Sequence, residues 1–341
     1  MRCHRASVWL WAVVVWGCAS PAEPPRAVLA DGHYVMGTLF ELTLHGNDAV
    51  SLAQLRDELF AQARALDQAF SRYRPESDVS RLNAGAGGPP LEVAPPVAEL
   101  LRHSVAYGAL TRGAFDVTVG PLVALWTQAA EADRRPTSAS LTRAAALVGS
   151  QRVRIGEDGR VGLEPGMSID LGGIAKGYAL DRMLPRLRAE GISSALLSFG
   201  QSSAWAFGTP PGSEGWRLLA RSPAGGFAGI LTLRDDALSV SGSLGQWTEI
   251  EGRRYGHVLD PRSGEPLTRR REALVVAPNA TLAEALSKAL LVLGEGEGIA
   301  LIEAQQDCEA LLLDEEGGAW ATSGWQLRTA FERLPPQAAA P

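Results

Sequence analysis

Lysine is almost missing from this sequence. Of the 32 basic residues in 341, only Lys176 and Lys288 are lysines, and arginine supplies every other positive side chain. A lysine kept against that bias marks a place that suits a compact ammonium on a flexible stem rather than a planar guanidinium fork. Cysteine is equally scarce, at three residues. Cys3 and Cys18 lie near the start, so the body of the chain holds Cys308 alone. That excludes an internal disulfide there, and a lone thiol in the strand-like run C-E-A-L-L-L reads as core. Positive charge is not in excess: the net charge is −6 with no basic stripe, which argues against nucleic acid as a partner. No apolar run after residue 18 is long enough to span a membrane. The phosphate-loop pattern G-x-x-x-x-G-K-[ST], the zinc helix H-E-x-x-H and paired C-x-x-C are also absent.

The front of the chain has its own character. Arg2, His4 and Arg5 precede the apolar stretch 8–16, and Gly17-Cys18-Ala19-Ser20 follows. A positive start, a short apolar run and small residues at a cleavage point make an export signal. V-W-G-C resembles the bacterial lipoprotein box, although Trp16 is bulky for it and cleavage by the ordinary signal peptidase is the alternative. With lipid on Cys18, the exported protein would be tethered to a membrane face, toward the periplasm or cell exterior, without spanning the bilayer. The expected layout is a signal over 1–17, a linker over 18–33, one domain over 34–330 and a disordered Pro/Ala tail over 331–341.

Apolar content of 46% and this length are ample for a sizeable core. Residues 37–44 alternate as a half-buried strand should. Over 49–70, Leu52, Leu55, Leu59, Ala63, Leu66 and Phe70 recur at helical spacing. Further helices are expected over 96–110, 141–148 (capped by Ser138 or Ser140) and 281–293. Strands are expected near 194–199, 203–207, 216–221, 228–233, 254–259, 273–277, 309–313 and 318–322. The run G-E-G-E-G at 294–298 reads as a turn, because its carboxylates would repel phosphate. The mixture predicts an α+β fold, with mixed or antiparallel strands, segregated helices and two lobes in one globular unit.

Three stretches could carry chemistry. In D-L-G-G-I-A-K-G-Y-A-L-D, from Asp170 to Asp181, Gly172 and Gly173 allow close backbone approach to a phosphate, a helix N-terminus follows, and Lys176 adds charge. A strand-to-helix turn with Lys176 at the surface is the plainer reading. In Y-G-H-V-L-D-P-R-S-G, His257 could act as a general base with Asp260 as its orienting carboxylate, against the alternative of a structural histidine. Finally, S-R-Y-R-P with S-R-L-N, and G-A-F-D-V-T, put aromatic, arginine and amide groups on loops that suit a ring-bearing anion or plain turns.

Taken in order, these blocks resemble the ApbE family, the FAD:protein FMN transferases. The likeness runs from M-G-T at Met36 through S-R-Y-R-P, S-R-L-N, G-A-F-D-V-T-V-G-P-L, D-L-G-G-I-A-K-G-Y-A-L-D and H-V-L-D-P-R-S-G to A-E-A-L-S-K-A-L, over roughly residues 34–325. The resemblance implies a T-fold-like α+β enzyme that splits FAD with magnesium and attaches FMN by a phosphoester to a Ser or Thr of a target flavoprotein. It implies that Met36, Tyr73, Ala114, Phe115, Asp116, Asp170, Lys176 and Val258 contact FAD. It makes His257 the base for the acceptor hydroxyl, and the Gly173 carbonyl and Glu284 metal contacts. An FAD-holding lipoprotein without transfer, and an FAD pyrophosphatase releasing FMN and AMP, stand as alternatives.

One departure bears on the metal. The family's metal helix usually reads A-D-x-x-x-T, and here A-E-A-L-S-K puts Glu284 and Lys288 at those two places. Glutamate keeps a hard oxygen, but an ammonium has no lone pair to give. Spacing of i, i+4 allows a plain surface ion pair between Glu284 and Lys288; otherwise Lys288 stands in for the metal, or the chain only holds flavin, or the helix swivels to offer Ser287.

Overall fold

The computed structural model describes residues 27–243 and 245–335. The expected export signal, Cys18, linker residues 18–26 and tail residues 336–341 lie outside that range. The chain opens with β1 (Ala27–Val35), β2 (Thr38–Gly46) and the helices α1 (Ala49–Phe70), α2 (Asp78–Ala84), α3 (Pro95–Leu110), α4 (Gly120–Glu131) and α5 (Ser138–Ala145). The short pair β3 (Arg154–Ile155) and β4 (Val161–Gly162) leads to α6 (Ala175–Ala189), β5 (Ser194–Phe199), β6 (Ser203–Gly208), β7 (Trp216–Arg221), β8 (Phe227–Leu233) and β9 (Asp236–Gly242). Then come β10 (Trp247–Ile250), β11 (Arg253–Gly256), β12 (Arg271–Ala277), α7 (Ala280–Glu303), β13 (Glu309–Asp314), β14 (Ala319–Ala321), α8 (Trp325–Thr329) and β15 (Glu332–Arg333).

Eight strands form one antiparallel sheet in the order β1-β2-β5-β6-β9-β12-β13-β14. Strand alternation sorts its two faces. Ala273, Val275, Ala277, Ala310 and Leu312 turn toward α7, while Leu274, Val276, Leu311 and Leu313 turn toward Trp216, Leu231, Leu233 and Trp325. Helices α1, α6 and α7 therefore cover one face, and the small sheet β15-β8-β7 with α8 covers the other. Burying both faces explains why β12 reads as a nearly continuous apolar run, its Leu274, Val275 and Val276 side chains contributing about 1.5–3 kcal/mol each. No described helix is long and apolar enough to cross a membrane.

Helix α1 forms where its spacing predicts. Asp48 caps it by accepting from the Ser51 amide at 2.8 Å, and its leucine stripe packs against Phe40, Leu42 and Leu44 of β2. Cys308 is buried as expected, and burial pushes its thiol up to about 11. Helix α5 starts three residues earlier than its pattern, capped by Thr137 instead of Ser138 or Ser140.

Several boundaries differ for identifiable reasons. Residues 27–33, expected as linker, belong to edge strand β1, whose mostly exposed side chains show no alternation to read. Glu332 and Arg333, expected in the tail, pair with Ile230 and Gly229. Strand β9 has no strand signature in the sequence, because Ser239 and Ser241 look solvent-facing but are buried against α7. At 294–298 only Gly294 leaves helical geometry, at φ 77°, beside the Arg271–Glu295 ion pair; the helix then resumes to Glu303.

Where α6 meets α7, the two helices are pinned by one carboxylate. Asp181 accepts from the Ala280 and Thr281 amides at 2.8 Å each, from the Thr281 hydroxyl and from Trp205 Nε1 at 3.1 Å. Burial outweighs these bonds and holds its pKa above the ordinary aspartate value. Replacing Asp181 with alanine orphans four donors, so urea denaturation should show a loss of about 2–4 kcal/mol.

Candidate active site

The site is assembled by short loops that the helices and sheet hold together. Met36 and Gly37 form a two-residue hairpin turn, both at positive φ (53° and 74°), between the paired residues Val35 and Thr38. This sets Met36, half-buried, against the main core. On the next loop, the Arg72 guanidinium lies 4.7 Å from the Tyr73 ring centroid and donates to its hydroxyl at 2.9 Å. The Arg72 Nε also lies 3.3 Å from Asp170, so one arginine ties an 80% exposed tyrosine to the glycine bend. Such an exposed, charge-braced ring suits stacking on a planar ligand.

The bend itself is held from within. Asp170 donates its amide to the Val117 carbonyl at 2.7 Å and accepts the Gly172 amide at 2.8 Å. Gly173 lies against the Phe115 ring and the Lys288 stem: a Cβ there would stand 3.8 Å from Phe115 Cε2 and 3.9 Å from Lys288 Cε. Helix α6 then begins at Ala175 with no side-chain cap. The N-terminus of α7, by contrast, is already occupied by Asn279 and Asp181. At α6 the Ile174 and Ala175 amides already donate to the Leu171 carbonyl at 3.0 and 2.9 Å, which leaves the Lys176 and Gly177 amides of its first turn for an anion.

Glu284 is fully buried on α7. One carboxylate oxygen accepts from Ser203 and the other pairs with Lys288, one turn along, whose side chain keeps a fifth of its surface exposed. Burial alone would raise the Glu284 carboxyl, but the Lys288 and Lys176 ammoniums and the Lys288 and Ser203 hydrogen bonds outweigh it and hold the pKa low. Burial, with Lys176 pressing the same way, lowers the Lys288 ammonium against the pull of Glu284.

His257 joins this group. Its backbone amide donates to the Gln246 carbonyl at 3.1 Å, and its Nδ1 lies 3.0 Å from the same oxygen. A carbonyl can only accept, so Nδ1 carries the proton and Nε2 keeps its lone pair, the tautomer a general base requires. The ring is open to solvent on one side, yet the surrounding protein desolvates it. That desolvation lowers its pKa; the Gln246 bond works the other way, and Lys288 and Lys176 lower it further. The two lysines and this imidazole therefore share one electrostatic neighbourhood.

The expected partner of His257 is corrected. Asp260 instead accepts from the Arg262 amide at 2.9 Å and from its Nε and Nη2 at 3.0 Å each, because the Asp-Pro-Arg turn folds Arg262 back on it. Asp116 is likewise committed: its carboxylate accepts from Thr118 and from the Ser150 amide at 2.8 Å and braces the loop. Ala114 and Phe115 are buried and Val258 is half-buried against the α7 core, so they shape walls. Ser287 does not swivel outward; it bonds to Ser239 and Ser241 at 2.9 and 2.8 Å. Gln246 and Ser203 carry no signal in the sequence, whereas Arg72 belongs to the S-R-Y-R-P block expected to suit a ring-bearing anion. Asp181 had a signal: it follows Gly177 by one helical turn and shares the face that meets α7. A concavity of about 490 Å³ beside Arg154 and Arg160 is lined by none of these groups.

The family sequence model described as the ApbE family matches residues 36–312. The chain belongs to the ApbE family. It is 30% identical to the FAD:protein FMN transferase of Klebsiella pneumoniae over 96% of this chain and 97% of that protein. Among solved structures, it resembles the apo Pseudomonas stutzeri flavinyl transferase ApbE (TM-score 0.76, 30% identity, covering 89% of this chain and 96% of that one). It also resembles the flavin transferase ApbE from Vibrio cholerae (TM-score 0.77, 26% identity, covering 89% and 99%). The mixed α+β architecture with antiparallel sheets is thus that of solved ApbE proteins.

The magnesium that the family resemblance implies does not suit the residues present. Both Glu284 oxygens are engaged, one by an ammonium. Magnesium needs near-octahedral oxygen donors and would have to share that carboxylate with a like charge. No group of three or more His, Cys, Asp or Glu side chains with metal-binding spacing occurs among the described residues. The expected contacts Gly173 and Glu284 therefore do not make a divalent site as they stand.

Proposed function

We infer that this chain is an FAD:protein FMN transferase that moves FMN from FAD to a Ser or Thr hydroxyl of a target flavoprotein. What supports the reading most is a His257 imidazole with Nε2 free as a base and under the charge of both Lys176 and Lys288, with the Lys288 stem against the Gly173 bend. In this reading the acceptor oxygen forms a bond to the FMN phosphorus while the bond from that phosphorus to the bridging oxygen breaks. AMP leaves with that oxygen and its electron pair, and the hydroxyl proton passes to Nε2 of His257. The α6 amides and the two ammoniums hold the pyrophosphate and stabilise charge as it spreads over the phosphoryl oxygens. Tyr73 and Met36 supply surface for the flavin or adenine ring.

Export and lipid attachment through Cys18 complete the proposal, supported by the signal pattern over 1–17 and by the V-W-G-C box. Incubating purified protein with FAD and a flavoprotein fragment bearing the acceptor Ser or Thr tests the activity. AMP release together with flavin fluorescence on the denatured acceptor band is the expected result. AMP without labelled acceptor would mean hydrolysis, and bound FAD with neither product would mean a flavin carrier; both reject transfer.

A further inference from the structure

The strongest unexplained feature of this site is a buried ion pair with one positive charge too many. Glu284 is fully buried and Lys288 largely so, with a fifth of its side chain exposed, which makes this a different object from an exposed i,i+4 pair on a helix surface. Glu284 must serve both Lys288, which it contacts, and Lys176, since it packs against Gly177, the residue after Lys176, where a Cβ would stand 2.8 Å from Glu284 Cγ. The other nearby carboxylates are engaged elsewhere, Asp170 with Arg72 and Asp181 with the start of α7. His257 adds no compensating anion, since an imidazole is neutral or cationic. The Lys288 stem runs beside Gly173, where a Cβ would stand 3.9 Å from Lys288 Cε. A desolvated cation surplus beside a glycine bend is suited to a multiply charged anion.

We propose that Lys288 is the resident cation of this active site: its ammonium, oriented by Glu284, binds the bridging phosphates of FAD in place of a divalent metal. The inference rests on the transferase reading and deepens it. Ser203 and Glu284 are positioning residues, which aim the ammonium without touching substrate. In the transfer step, Lys288 gives up no proton and forms no covalent bond; it offsets charge on the phosphoryl oxygens as the bond to the bridging oxygen breaks. A fixed ammonium does this without recruiting a hydrated ion.

The test compares FAD affinity, read by flavin fluorescence, in excess EDTA and in millimolar magnesium. Riboflavin, which lacks phosphates, serves as the second probe. For the natural chain, FAD affinity should agree within about twofold between the two conditions. Lys288→Met should weaken FAD by about tenfold or more and leave riboflavin within about twofold. Lys288→Thr should make FAD binding respond to magnesium. A magnesium enhancement of about tenfold or more in the natural chain overturns the proposal, as does an equal loss of FAD and riboflavin in the methionine variant. Should either variant fail to fold, the comparison on the natural chain still decides. Absence of FAD binding in both conditions would reject the transferase reading itself, a different result from metal dependence.

Discussion

Replacing His257 with alanine should reduce FMN transfer by about 10²–10⁴-fold, the usual contribution of a positioned general base. FAD affinity should stay within about twofold, because the phosphates are held by ammoniums and amides and not by the imidazole. The pH profile carries the finer test. Burial together with Lys288 and Lys176 holds the imidazole below its ordinary 6.5. The base is active when unprotonated, so transfer should persist below that pH and fall only as the lowered pKa is crossed. Lys288→Met removes one repelling charge and should shift this acid limb upward. Asp260→Asn should leave it in place, since that carboxylate serves Arg262. The linkage sign follows: a depressed histidine binds fewer protons folded than unfolded, so its share of stability is lost as pH falls from 6.5 through the folded value. A limb that moves with Asp260 and not with Lys288 would return the orienting role to the carboxylate.

Legibility in the sequence followed the physics of each element. Helix α1 could be read to the residue, because one apolar stripe faces one partner. Strand β9 could not, since its serines answer to Ser287 across the interior and look polar in a linear reading. The site showed the same division. Lys176, Lys288 and His257 stood out through scarcity, and the charges of both lysines act on the imidazole. What could not be read was any contact made by backbone: the Gln246 carbonyl that sets the imidazole tautomer has no side-chain signature. Nor could spacing distinguish a surface i,i+4 pair from the buried Glu284–Lys288 pair, because burial of α7 depends on strands far away in sequence. The Asp260 expectation failed for a related reason: three residues of separation brought Arg262, not His257, within reach.

Gly177→Val should be among the most damaging single changes in the chain, and its effect ties the fold to the chemistry. Gly177 sits on α6 where α7 begins, and a Cβ there would stand 2.3 Å from the Ala280 carbonyl oxygen and 2.8 Å from Glu284 Cγ. The first of these is backbone, and that backbone is fastened by Asp181 to the same helix that carries Gly177. Neither helix can yield without breaking the cap, so overpacking should cost about 2–4 kcal/mol in urea denaturation. Lys176 precedes Gly177 directly, and Glu284 lies on the facing turn, so separating the helices also separates Lys176 from the Glu284–Lys288 pair. A misplacement of about 1 Å can cost on the order of 10²-fold in rate, and transfer by the folded fraction should fall by about that much. Gly296 supplies the contrast: it lies in α7, and a Cβ there meets nothing within 4 Å. Gly296→Ala should therefore be neutral or stabilise by up to about 1 kcal/mol, with transfer unchanged. If the two substitutions proved equally mild, the close approach of α6 and α7 could not be what holds the lysines together.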